Sequence, residues 1–347
     1  MLKRISTILF LAAGICASSN VLSRESTMTN PLLSKARPWC VGRFVFDRPV
    51  SSEISNQDYE VRGERIDVRH NASMAEYSKK IKNLSEKLTR SKRTNPGTGV
   101  EVNHAWLERE FSPRQNARVF VYQEYYAKVG LDFKTEGYLF DGSNLFHTTS
   151  SIGADAIGHV EGIYNDIYHR IKARDNWSVP TESGFCFDGG IVTGSSTDTE
   201  EVSQSFALMP ERRPALLVIQ MRDSVKQDRD PAASLLKTLP DLRAKLDAAG
   251  GHYRILRQGH RQIAGMDAEE VLFEIKDGGV TEFRFSLLAA GDPSTLAKPH
   301  TSIQMILGDI SSQNEPAEER TSPVDEAGAL QAWDALLNSL RLRPGAV

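Results

Sequence analysis

The sequence predicts an α+β protein of two similar domains, each a mainly antiparallel sheet with helices packed on one face. Three observations point there. Apolar residues recur at three- and four-residue spacing in four separate stretches, as amphipathic helices require. The strand-like segments follow one another in runs, and a strand pair closed by a short turn is antiparallel. The same order of elements occurs twice, each time opening on a strand that bears a cysteine. Strands and helices do not alternate regularly, which argues against a doubly wound nucleotide-binding fold. At roughly 150 residues per domain, 347 residues make about two domains.

The first half opens with a strand over 39–46 that contains Gly42, followed by an alternating strand over 59–69. Met74, Tyr77, Ile81, Leu84 and Leu88 then place one apolar stripe on a helix, and Asn95-Pro96-Gly97 ends it. Three β-rich pieces over 103–111, 117–129 and 131–146 follow, with Asp141-Gly142 as a hairpin turn. Ile157, Val160, Ile163, Tyr164, Ile167 and Ile171 mark a closing helix.

The second half repeats this order, with strands over 185–192 and 216–221, then a helix over 231–248 carrying Leu235, Leu239, Leu242 and Leu246. Strands over 252–258, 271–275, 281–288 and 302–307 lead to a last helix that aligns Leu330, Trp333, Leu337 and Leu340. From cysteine to first helix is 34 residues in one half (Cys40 to Met74) and 45 in the other (Cys186 to Pro231). The parallel order suggests a duplicated domain. The boundaries read as a first domain over 38–174, a linker over 175–182 containing Pro180, and a second domain over 183–344.

Ahead of these lies an export signal. Lys3 and Arg4 precede an apolar run over 5–15 and then the small residues Ala17, Ser18 and Ser19, the three-part layout of a secretory signal peptide. The run is shorter than the roughly 20 residues that span a bilayer. Cys16 suggests lipidation, but Ile15 before it is not small, so ordinary cleavage by residue 23 and release into the periplasm fit better. Residues 24–37 then form a polar leader. Removal of Lys3 and Arg4 takes the net charge from −3 to −5, which offers no general attraction to nucleic acid, and no second segment is long enough for stable membrane insertion.

Cleavage leaves Cys40 and Cys186. In an oxidising compartment they either bridge, closing a long loop and tying the halves together, or stay as two buried thiols; the residues leave both open. The chain has no G-x-S-x-G elbow, P-loop, G-x-G-x-x-G or H-E-x-x-H. Its eight histidines share no metal-ligand spacing, and no cofactor is implied. An enzyme built around His104 or His147 is a rival reading, as is a periplasmic ligand-binding or scaffold module. The basic helix over 79–93 lacks interleaved aromatics and reads as a solvated face. Two acidic, polar stretches stand out, one with Asp198, Glu200 and Glu201 and the other with Glu315, Glu318 and Glu319. Either they are simply solvated or they form a rim that steers a basic protein surface.

The segment Trp39-Cys40-Val41-Gly42-Arg43-Phe44 after an export signal resembles the opening of the two-domain immunity proteins against type VI secretion lipase effectors. Gly184-Phe185-Cys186, the run from Ile263 to Glu270, Trp333-Asp334-Ala335-Leu336-Leu337 and Arg341-Leu342-Arg343-Pro344 extend the resemblance over almost the whole mature chain. It implies two α+β domains arranged as a clamp around a secreted lipase-like toxin in the periplasm, with neither cofactor nor turnover. On this reading the protein is expected to inhibit stoichiometrically, by covering the toxin's active site or jamming its lid.

Overall fold

The computed structural model describes residues 30–126, 132–195, 199–210, 213–248, 252–312 and 314–347. The expected signal peptide and most of the leader lie outside them. The first half contains β1 (Ala36–Val41), β2 (Phe44–Pro49), β3 (Glu53–Val61), β4 (Glu64–Arg69), α1 (Met74–Arg90), β5 (Lys92–Thr94), β6 (Glu101–Ala105), β7 (Leu107–Phe111), β8 (Ala117–Tyr122), β9 (Phe133–Asp141), β10 (Asn144–Ile152), α2 (Val160–Arg170) and β11 (Ile171–Ala173). The second contains β12 (Gly184–Phe187), β13 (Gly190–Thr193), β14 (Glu200–Ala207), β15 (Ala215–Arg222), α3 (Leu235–Ala248), β16 (His252–Ile263), β17 (Met266–Asp277), β18 (Val280–Ala289), β19 (His300–Leu307), α4 (Ala317–Arg320), α5 (Glu326–Ser339) and β20 (Arg341–Leu342).

Twelve strands form one antiparallel sheet among the described residues, in the order β16-β17-β18-β19-β15-β14-β3-β4-β10-β9-β8-β7. Read outward from its centre, the two wings have the same topology. β3-β4-β10-β9-β8-β7 on one side matches β14-β15-β19-β18-β17-β16 on the other, with α1 and α3 at the same place in the connection. The duplication expected from the sequence is thus visible as a repeated strand order. The centre is the antiparallel pair β3–β14, where Tyr59 faces Val202 and Gln57 faces Gln204.

The halves also exchange their closing strands. β11, from the first half, pairs with β13 of the second, and β20, from the second, pairs with β2 of the first. Each opening segment read as one cysteine-bearing strand is a tight hairpin. In the first, Gly42 takes a φ of +55°, which a residue with a β-carbon rarely adopts, and lets the chain reverse between β1 and β2.

The helices were expected on one face; they divide between two. Side chains alternate along a strand, so both faces of an apolar strand need cover. On β9, Leu139 joins the main core under α2, while Tyr138 and Phe140 meet Tyr77, Ile81 and Leu84 of α1. On β17, Met266, Ala268 and Leu272 lie in the main core with Trp333 of α5, whereas Val271, Phe273 and Ile275 meet Leu235, Leu236 and Leu239 of α3. The two halves share one apolar cluster, which runs from Val119 and Phe146 to Phe206, Phe285 and Trp333. A sheet paired through its middle leaves no gap at which to divide that cluster.

Candidate functional site

The join between the halves holds a dense set of buried polar contacts. Cys40 and Cys186 form a disulfide there, with their Cα atoms 5.9 Å apart, and Gly42 and Cys186 exchange backbone hydrogen bonds. Beside it Arg43 of the first half donates to Glu200 of the second through Nε at 2.7 Å and Nη2 at 2.6 Å. Both side chains are almost fully buried. Arg343 reaches back from the C-terminal end to donate to the carbonyls of Pro180, Glu182 and Gly184. Arg174 donates to five more, those of Asp175, Asn176, Ser178, Phe187 and Gly190. The stretch expected to be the linker is held as a strap across the join. Two guanidiniums satisfy carbonyls that a flexible linker would leave to water.

These contacts place the expected site residues. Glu200 is corrected. It starts β14, is 7% exposed and has both carboxylate oxygens on Arg43, so it cannot be part of an exposed rim. A run of acids looks the same in sequence whether or not a buried arginine 157 positions away holds one of them. Glu201 is exposed on the next position, and Asp198 lies outside the described residues. Glu315, Glu318 and Glu319 are exposed on and before α4, around an open cleft of about 810 Å³ that Met209, Arg213 and Pro214 also line. That cleft sits at the β14–β15 turn, the far end of β14 from Glu201. With 8 residues in the strand, the two acidic patches are roughly 25 Å apart at about 3.3 Å per residue. They do not make one rim.

The histidines of the rival enzyme reading are also placed. His104 is exposed on β6, 3.9 Å from Glu108. His147 stacks on Tyr138 at 4.6 Å and contacts Glu136 at 3.2 Å. Among the described residues no group of histidine, cysteine and acid has a metal-binding arrangement, and no helix is long and apolar enough to cross a membrane.

Sequence reasoning missed a second feature of the join. Arg48, on β2, is 4% exposed with its guanidinium 4.0 Å from the Trp39 ring, 4.8 Å from Trp177 and 4.9 Å from Phe206. Burial pushes its pKa down to about 10, with Asp188 and Tyr59 opposing the shift. Arg48, Trp39 and Trp177 edge an open cavity of about 570 Å³ bounded by β3, the strap at Asn176 and Trp177, and Asp188 of the β12–β13 turn. Two of the chain's four tryptophans, each near an arginine, were the available signal.

The motifs that carried the resemblance turn out to be joints. Glu270 on β17 accepts from Trp333 Nε1 at 3.0 Å and pairs with Arg257 and Arg261, and both arginines also hold Asp334 of α5. Glu269 receives Ser234 and the backbone N–H of Leu236 at the start of α3. The model of the Tle cognate immunity protein 4 N-terminal domain matches residues 37–156, and that of the same family's C-terminal domain matches residues 178–345. The chain belongs to the Tle cognate immunity protein 4 family. It is an immunity protein and not an enzyme, so neither His104 nor His147 is a catalytic base.

The immunity protein is similar to apo TplEi, an immunity protein of the type VI secretion system from Pseudomonas aeruginosa, at 18% identity and a TM-score of 0.75 over 90% of this chain and 98% of that one. A Tle4–Tli4 complex contains a chain at 19% identity and a TM-score of 0.75, with the same shares covered. TplEi complexed with an "L" peptide gives 19% and 0.71 over 90% and 99%. At these identities the likeness speaks for the fold. None of the curated proteins matches the chain.

Proposed function

We propose that this immunity protein acts in the periplasm by stoichiometric occupation of a Tle lipase effector, sparing the producing cell and its siblings. The observation that carries the reading is the family match over both halves, supported by the likeness to a chain solved in a Tle4–Tli4 complex. The signal-peptide pattern at residues 1–23 and the Cys40–Cys186 bridge both suit an oxidising compartment outside the cytoplasm. A stable protein interface needs about 800 Å² per partner, and a surface fixed in advance loses less entropy on binding. One sheet, a disulfide and a tied strap hold the halves in such a fixed relation. We assign the exposed acids Glu201, Glu315, Glu318 and Glu319 to two separate patches that steer the effector's approach, and binding proceeds on a preformed surface without closure of a hinge at 175–182.

The test is co-purification of the mature protein with its cognate Tle effector, followed by a lipase assay at increasing ratios. The expected outcome is a 1:1 complex whose lipase activity falls linearly to zero at equivalence. Full activity at a saturating excess, or unprotected sibling cells, would refute the reading.

A further inference from the structure

The Arg48 cavity combines three features that a purely structural arginine does not need. Its Nε and Nη1 donors have no hydrogen-bond partner among the described residues, and only Nη2 is used, donating to the Ser52 carbonyl at 2.9 Å. Leaving donors of a buried cation unpaired is costly. Arg37 stands directly opposite Arg48 across β1 and β2, and the two guanidiniums lie 5.1 and 4.8 Å from the same Trp177 ring. Like charges facing each other on adjacent strands repel, and here both cations rest on the Trp177 ring. The third feature is position, since a cavity open to solvent has Trp39, Trp177 and Arg48 in its wall, with Nε and Nη1 themselves covered by the surrounding side chains.

The cavity's own carboxylates do not answer this demand. Asp188 is already engaged by His70 Nε2 at 2.7 Å, by Gln57 Nε2 at 3.0 Å and by Asn176 Nδ2. Glu53 is exposed at the rim. The aromatic faces favour a cation through their quadrupoles but accept no N–H in the manner of a carboxylate.

We propose that this cavity is an anchor pocket for an acidic side chain of the effector, whose carboxylate accepts from Arg48 and screens it from Arg37 while its methylenes pack on Trp177. The proposal rests on the reading of the chain as an effector-binding immunity protein, and it deepens that reading by naming one contact and its chemistry. An Arg–carboxylate pair that is desolvated and framed by aromatic rings has the composition of an interface hot spot. It also places the anchor at the join, where residues 39–57, the strap and Asp188 meet. An effector seated there touches both halves at once.

Two measurements on the full mature chain test it. The first is titration with glutarate, read by the indole Nε1–H resonances of Trp39 and Trp177, with glutaramide as the uncharged control and sulfate as a free-anion control. Saturable shifts with glutarate alone, lost in Arg48→Gln, are expected; no saturation, or equal shifts in Arg48→Gln, overturns the pocket. The second is effector affinity, expected to fall at least about tenfold in Arg48→Gln and Trp177→Ala, the size of one lost charge-assisted hydrogen bond. Arg37→Gln, an exposed substitution, is expected to weaken the effector about threefold, in the range of a partly exposed charge contact, and keeps the test open if the Arg48 variant fails to fold. An effector that binds wild type and all three variants equally overturns the anchor and leaves the immunity reading intact. A sulfate response equal to that of glutarate, with effector binding unchanged, marks a small-anion site and likewise overturns it. An effector that does not bind wild type refutes the immunity reading itself, while the glutarate titration still decides the pocket.

Discussion

The two halves solve the same packing problem with different polar chemistry. In the first, the closing helix α2 presses Tyr164 and Tyr168 onto the sheet. Tyr164 donates to Glu64 and shares a hydroxyl–hydroxyl hydrogen bond with Thr135, and Tyr168 bonds Thr148 at 2.8 Å. A β-carbon at Gly137 would overlap the Tyr168 hydroxyl, so the glycine in the middle of β9 makes room for the ring. In the second, the closing helix α5 presses Trp333 onto the sheet and bonds Glu270, which is tied with Asp334 into a cluster with Arg257 and Arg261. One half thus uses a buried, hydroxyl-rich network around a single carboxyl group, and the other a partly exposed set of ion pairs. The duplicated fold constrains where a helix must seat and leaves open how its polar groups are satisfied.

The largest expected effect comes from removing the second half's anchor. Trp333 is fully buried, edge-on to Phe285 with ring centroids 5.8 Å apart. Trp333→Ala deletes that volume and leaves Glu270 short of a donor, at an expected cost of about 3–5 kcal/mol. Because β3 and β14 pair through the middle of the sheet, the loss should lower one common unfolding transition. Denaturant melts followed at once by fluorescence and far-ultraviolet circular dichroism check this. Two resolved transitions, with the first half untouched, would show that the wings fold separately despite sharing strands.

Next in size is the join. The disulfide closes a loop of 146 residues, and native bridges of this kind contribute about 2–4 kcal/mol, chiefly by limiting the unfolded chain. Replacing Cys40 and Cys186 together by Ser should lower the unfolding free energy from denaturant melts by that amount and leave the effector complex intact, since Arg43–Glu200 and the exchanged strands still hold the halves. Loss of the complex in a folded double variant would mean that the bridge alone sets the relation between the wings.

The sequence carried this architecture only as far as local patterns reach. The helix stripe from Met74 to Leu88 and the Asp141-Gly142 turn between β9 and β10 were legible because their causes lie within a few residues. The hairpin at Gly42 was read as one strand, since apolar residues on both sides mask a single glycine turn. The β3–β14 pair, the pairing of β20 with β2, and the burial of Glu200 by Arg43 depend on partners more than 100 residues apart. No spacing rule reports those. Cys40 and Cys186 could be matched by their equivalent places in the repeat, but whether they meet is a matter of distance. The Arg48 cavity was missed for the same reason, because Trp39 and Trp177 are far apart in sequence and adjacent only across the join.

The smallest expected effect separates the halves by pH. Burial pushes Glu64 up to about 7, against the hydrogen bonds from Tyr164, Ser150 and Thr148 that favour its charged form. Its folded-state pKa thus lies above the unfolded value, so its favourable contribution is complete below about pH 4.5 and is lost as pH rises through 7. The full swing is at most about 3 kcal/mol, taking 1.36 kcal/mol per unit. The second half has the opposite sign. Burial pushes Asp334 up, but the Arg257 and Arg261 hydrogen bonds outweigh it and hold the carboxyl below its usual range, so that contribution is lost as pH falls. Glu64→Gln cannot titrate, and denaturant midpoints between pH 4.5 and 8 should stay flatter in the variant than in wild type. Parallel curves would show that Glu64 is hydrated or paired differently, and the contrast between a hydroxyl-rich wing and an ion-paired wing would lose its thermodynamic content.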